Sequence, residues 1–446
     1  MIDLLGIGDR LVGRSKPGEQ VEAVVVHQRE TEVRVYEAEI ESFAAAESQG
    51  VGVRVIANGR QGFAYAATLD ADIIDETLEE ARDNATFGTP DEFLGLAEPD
   101  GVEPPALDLY DDSCDEVPVA DKIEMAMELE RATLAADPRI SGIESAEYVD
   151  ALFEGAVVTS TGIRSLTRET SAYLSVYSLA EDKGETQTGF GYSVGRNPTV
   201  LDPGQAAADA ADRATRLLGA VKPPSGRMTV VLDPFVTAQF LEIIGSTLSG
   251  ESVLKGRSLF AERVGESVGS SLLTLVDDPT DPLAFTATEA DGEGLAARRN
   301  ELIVDGVLQG FVHNSYTARR ANTVSTGSAV RGFSSTPGVG IQAVSLVPGA
   351  SSQAELIASI DDGLLVQGVS GLHSGVNPVS GDFSTGAEGL RIRNGEVAEP
   401  VREFTVASTL QKMLHDVRAV GGDLEWLPMS AAGVSLVIDD VTMSGS

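Results

Sequence analysis

The sequence predicts an α+β protein, with N-terminal sheet-and-helix domains followed by a larger β-rich C-terminal domain that opens with a strand and a helix. Three observations carry this. Runs rich in Val, Ile and Thr lead into turn dipeptides, Asn58-Gly59, Asp305-Gly306 and Asn394-Gly395, which mark antiparallel hairpins. Helical periodicity is confined to a few segments, three of them behind an Asp that can cap a helix. Lys222-Pro223-Pro224-Ser225-Gly226 then sets off the remainder of the chain as a separate unit.

In chain order, Val21 to Val26, Val33 to Tyr36 and Val51 to Val55 read as strands, with Phe63 and Tyr65 opening the return from Asn58-Gly59. Ile73, Ile74, Thr77, Leu78 and Ala81 then repeat at helical spacing behind Asp72, the expected cap. From Asn84 to Val117 the pattern dissolves into Gly, Pro and acidic residues, as expected of a crossing between domains without chemistry of its own. A helix is expected from Ala120 to Ala136, stopped by Pro138.

Ala172 to Leu179 and Thr186 to Val194 form a predicted hairpin about Asp182-Lys183-Gly184. Asp202-Pro203 starts an Ala-rich helix that Gly219 ends, and Asp233-Pro234 starts another expected to reach Gly250. The boundaries that follow are 1–100, 101–222 and 223–446.

The 69 acidic against 32 basic residues give a net charge of −37, a field that repels phosphate backbones and anionic headgroups. Direct nucleic-acid and membrane partners are therefore not expected. Cys114 is the only cysteine, which excludes an intrachain disulfide and fits a reducing cytoplasm. No apolar run approaches the roughly 18 residues of a membrane span.

Zinc hydrolysis needs three protein ligands and an open position, yet His27, His313, His373 and His415 are scattered with no local pair. Gly250 to Ser258, GESVLKGRS, misses the phosphate-binding loop in its glycine spacing and in Arg257, which stands where Lys belongs. Gly189, Gly191 and Gly195 miss the dinucleotide fingerprint by one position and sit in an expected strand. Gly371 to Phe383, GLHSGVNPVSGDF, packs His, Asn, Asp and two Ser among repeated Gly between apolar runs, and stands as either a functional loop or a hydrogen-bonded turn.

That last run, continued as SGDFSTGAEGLRIRNGEVAEPVREFTVAS to Ser408, resembles the C-terminal region of the TldD/TldE peptidase family, especially its TldE or PmbA branch. DGEGLAARRNELIVDGVLQGFVHNSYTARR at Asp291 to Arg320 and TSAYLSVYSLAEDKGETQTGFGYSVGR at Thr170 to Arg196 are similar too. The resemblance implies a peptidase of two related subunits, of which the active one carries HExxxH on the helix that opens the C-terminal domain. Here the matching stretch reads LEIIGS, so Leu241 and Ser246 hold the histidine positions and only Glu242 remains. An aliphatic chain cannot donate to zinc and a lone hydroxyl is a poor ligand. The active branch's third ligand, a cysteine near the C-terminus, has no counterpart either.

The expectation is thus a non-catalytic subunit with no cofactor of its own, zinc being held by a TldD-like HExxxH partner and the pair degrading or trimming unfolded peptides in the cytoplasm. His373, Asn377, Asp382 and Ser384 are the candidate contacts near the substrate chamber. Two alternatives stand beside it. One is a homo-oligomeric peptide-binding scaffold; the other is an independent metallopeptidase built from His313, His373, Asp382 or Glu388.

Overall fold

The computed structural model describes residues 2–446. Helix α1 (Leu4–Val12) precedes two long strands, β1 (Glu19–Tyr36) and β2 (Glu39–Ala57), and the shorter β3 (Arg60–Ala66). The separate strand runs expected before residue 57 merge into one hairpin, because β1 stays paired with β2 on one side and with a later strand on the other through its polar middle, from His27 to Glu32. Asn58 and Gly59 both take positive φ, 53° and 69°, as a two-residue hairpin turn requires. Helix α2 (Ala71–Phe87) is capped by Asp70, whose carboxylate accepts from the Asp72 and Ile73 amides, so Asp72 lies in the first turn. The expected cap is displaced by two residues because Asp70 holds the extended backbone that an N-cap needs.

Helix α3 (Val119–Ala136) leads to β4 (Ile140–Thr159), β5 (Arg164–Asp182) and β6 (Glu185–Gly195), followed by α4 (Pro203–Arg216). β1 pairs antiparallel with β4, from Glu22↔Thr159 to Val35↔Ala146. The first two units consequently share a single six-stranded sheet in the order β3-β2-β1-β4-β5-β6. Gly189 and Gly191 mark where α4 crosses β6: a Cβ at either would collide with the backbone of Ala210 or Ala206. Buried Ala206, Ala207, Ala210 and Ala214 let the helix approach that closely.

The segment between α2 and α3 is a strap rather than a free crossing. Leu96, Ala97 and Leu109 are buried, Arg319 donates to the Phe93, Gly95 and Leu96 carbonyls, and Glu289 accepts from the Leu107 amide. Sequence reading missed this because a strap is held by residues some 200 positions away.

The C-terminal unit opens with β7 (Gly226–Leu232) and α5 (Pro234–Thr247), then α6 (Gly250–Leu254) and α7 (Ser315–Ala321). Its main sheet adds β8 (Asp362–Ser370), β9 (Asp382–Arg393), β10 (Glu396–Thr409), β11 (Val417–Val420) and β12 (Leu436–Ser444), in the order β10-β9-β8-β7-β12-β11. β10 also pairs with β12, through Thr405↔Ser444 to Ala407↔Thr442, which bends the sheet into a barrel-like form. The largest core cluster lies here, between the sheet and α5. No helix among the described residues is long and apolar enough to cross a membrane.

Candidate functional site

Helix α5 starts where the sequence expects: Asp233 caps it by accepting from the Phe235 amide at 3.2 Å, and Pro234 occupies the first turn. Burial pushes the Asp233 carboxyl up, partly offset by Arg213. The helix ends at Thr247, three residues short of the expected Gly250, because Ser249 caps the next helix. Phe240, Leu241 and Ile244 face the core, while Gln239, Glu242, Ile243 and Ser246 form the wetter stripe.

The three positions that the sequence resemblance leads one to expect at the metal motif, Leu241, Glu242 and Ser246, are placed apart in environment. Leu241 is 1% exposed, within the main core. The Glu242 carboxylate accepts from the Ser430 hydroxyl at 2.7 Å, and the exposed Ser246 hydroxyl donates to the Ile243 carbonyl at 2.7 Å. These residues do not fit a zinc ion: one offers no lone pair, one is a hydroxyl turned onto its own helix, and the carboxylate has a protein donor.

The run GLHSGVNPVSGDF forms a short helix, Leu372–Gly375, and a turn closed on itself. Asn377 accepts through its side chain from the Val379 and Ser380 amides, and its own amide donates to the Asp382 carbonyl at 2.9 Å. Ser380 donates to the Asp382 carboxylate at 2.6 Å. His373, Asn377, Asp382 and Ser384 are all exposed, with Asp382 and Ser384 on the outward face at the start of β9. Between them Phe383 turns inward, and its ring meets that of Phe240 on α5 edge-on at 6.3 Å. The loop and the α5 helix are therefore packed as one unit.

His313 is buried, its Nδ1 3.1 Å from the Thr317 hydroxyl, and burial holds its pKa below the ordinary imidazole value. Glu388 lies on β9, and burial raises its carboxyl. Among the described residues, no three His, Cys, Asp or Glu side chains stand together in a way that could hold a metal. His313, His373, Asp382 and Glu388 are not brought into one cluster. The Cys114 thiol is buried, donates to the Arg196 carbonyl and has its pKa raised by that burial.

An ionic cluster that sequence reading did not single out joins the halves of the molecule. Glu22 on β1 and Arg54 on β2 are cross-strand partners, linked by Nε–Oε1 at 3.0 Å and Nη2–Oε2 at 2.6 Å. Arg331 also donates to Glu22, and Glu293 lies 3.6 Å from Arg54. Burial alone would raise the Glu22 carboxyl, but Arg54 and Arg331 outweigh it and hold the group below its ordinary range. Asp291, beside Glu293, is pushed up to about 7 by burial and by that neighbouring charge. The signal was present: Glu22 and Arg54 interrupt apolar strand runs.

Comparisons with known proteins agree along the chain. Three profiles match in order: PmbA/TldA metallopeptidase domain 1 over residues 21–85, the central domain over 112–218 and the C-terminal domain over 225–445. The metalloprotease PmbA of Escherichia coli O157:H7 is 28% identical over 91% of this chain and 88% of its own length. A metalloprotease TldD homolog of Haemophilus influenzae is 26% identical over 89% and 87%. In fold, the structure matches TldE from Thermococcus kodakarensis with a TM-score of 0.90 at 24% identity, covering 99% of both chains.

Proposed function

Because the chain belongs to the PmbA/TldD metallopeptidase family, we propose that it is the non-catalytic subunit of a heteromeric zinc peptidase acting on unfolded peptides in the cytoplasm. The observation that carries this reading is the state of helix α5: Leu241 is locked in the core and Ser246 bonds its own helix, where the family's active branch requires two imidazoles. Without a Lewis acid, nothing at Glu242 activates water or stabilises a tetrahedral oxyanion. Zinc and hydrolysis then belong to a homologous HExxxH subunit. This chain completes the chamber, with the face bearing His373, Asn377, Asp382 and Ser384 turned toward extended peptides. Peptides held there would be captured through their backbones, which gives affinity with little sequence preference.

The test is co-expression with an HExxxH family member, followed by cleavage of a casein-type substrate by each chain alone and by the pair. The pair, and not this chain alone, is expected to cleave in a chelator-sensitive way. Chelator-sensitive cleavage by the pure, unpartnered chain would overturn the reading.

A further inference from the structure

We propose that the outer edge of β2, from Glu39 to Ser48, is the docking strand for the homologous zinc-bearing subunit, which adds its own sheet edge to this one. The proposal rests on the heteromeric reading above and names the surface through which that partner binds.

β2 pairs with β1 along its whole length, but β3 covers its other side only from Val51 to Ala57. Among the described residues, no backbone hydrogen bond reaches the outer side of Glu39 to Ser48. Every residue in that stretch is exposed, so neither face of the strand is covered. At about 3.4 Å per residue it presents roughly 30 Å of open ladder. Soluble proteins usually blunt such an edge with Pro, Lys or a bulge. Between Glu39 and Ser48 this edge has neither Pro nor Lys; its one register shift falls at Glu41, and beyond it Ala44-Ala45-Ala46 pair with β1 in continuous register. Glu41 is bound by Arg34 at 2.6 Å and Glu47 by His27 at 2.6 Å, so two of its three carboxylates are already occupied within the hairpin.

The kind of partner follows from where the layers stop. Ile40 and Phe43 stand opposite Val35 and Val33, which are fully buried in a core completed by Ala126 and Leu129 of α3. Ile40 and Phe43 continue that apolar row but remain 45% and 46% exposed, because the helix layer ends with the sheet. A sheet-and-helix unit fits this step, since it extends the strand ladder and the helical cover together. A loose peptide supplies only the ladder, and ordering its backbone costs about 1–2 kcal/mol per residue, which a preformed edge avoids. A second copy of this chain has the right shape but brings another charge of −37.

The experiment compares the full-length wild type with Ala45→Pro and Ala46→Pro. Outward N–H groups alternate along a strand, so one of the two prolines removes an outward donor and spares the pairing with β1. The variant that keeps the wild-type thermal midpoint identifies it, and Ala45→Lys/Ala46→Lys serves as a second disruption that leaves the backbone intact. On mixing with the HExxxH subunit, hydrogen exchange across residues 39–48 is expected to slow at least tenfold, and the folded proline variant and the lysine variant to bind at least tenfold more weakly. A complex that forms with exchange at 39–48 unchanged, or with both variants binding as the wild type does, overturns this docking surface while leaving the heteromer intact. Protection of the stretch by self-association, or by a synthetic alternating Val-Lys peptide alone, overturns it in favour of those occupants. Failure of the wild type to bind any HExxxH subunit removes both this proposal and the heteromeric reading.

Discussion

Arg331 donates to the carboxylate of Glu22, 309 positions earlier in the chain, and both side chains are almost wholly buried. The contact ties a loop of the C-terminal unit to the inner face of the N-terminal sheet. Phe333 reinforces it: a Cβ on Gly52 would strike the Phe333 carbonyl, so the loop backbone rests directly on β2. The cluster fixes how the halves sit, and with them the relation between the β2 edge and helix α5.

Truncating Arg54 leaves Glu22 with Arg331 as its one cation and removes the guanidinium 3.6 Å from Glu293, which keeps the Ser315 amide as a donor. Breaking a buried pair in this way costs about 3–5 kcal/mol, so Arg54→Ala is expected to lower unfolding free energy by that order in a denaturant titration. Arg331→Ala should cost less, because Arg54 still holds Glu22. A change under about 1 kcal/mol for Arg54→Ala would mean that water reaches the cluster.

Asp277 is fully buried; one carboxyl oxygen accepts from the Gln342 and Ala343 amides and the other has no partner. Burial pushes its pKa up from 3.8 to about 6. The folded state therefore holds this proton more tightly than the unfolded chain. The associated stability is fully present below about pH 4 and is lost as pH rises through about 6, a difference of about 3 kcal/mol. Asp277→Asn, which carries hydrogens at the unpartnered atom at every pH, should remove that loss. Its thermal midpoint relative to wild type is expected to climb between pH 4 and 7; a constant offset would contradict the assignment.

Leu241→His places an imidazole in the main core and should cost about 2–5 kcal/mol. Ser246→His, on the wet stripe, should change stability by less than about 0.5 kcal/mol. The double variant restores the spelling HExxxH without a third ligand, and calorimetric titration is expected to show no stoichiometric zinc. Tight zinc binding at an unchanged thermal midpoint would show that the helix can expose position 241.

Asp382→Lys reverses an exposed charge at the start of β9 and removes the acceptor of the Ser380 hydroxyl. With the reconstituted pair, kcat/KM for an unfolded peptide is expected to fall at least threefold, with assembly and thermal midpoint preserved. An unchanged rate would assign the turn to architecture alone.

The resemblance was legible because long motifs survive as written residues, and so was the order of local elements. Asp202-Pro203 and Asp233-Pro234 cap their helices because an N-cap is made within four residues. Lys183-Gly184, Asp305-Gly306 and Asn394-Gly395 all turn with positive φ for the same local reason. The expectation that Leu241 and Ser246 stand where the family's active branch has imidazoles also needs no coordinates.

Tertiary structure decided what depends on distant partners. The strap from Gly88 to Pro118 looked like a linker because the side chains that hold it, Arg319 and Glu289, lie far along the chain. Strand pairing between β1 and β4 merged two units that the sequence separates, since register is set across more than a hundred residues of intervening chain. Burial likewise turned Glu22, Arg54 and Arg331 from ordinary charges into a clamp, and left the β2 edge open. A residue's type is written in the sequence, but its free energy is set by what surrounds it, and that is known only when the chain has folded.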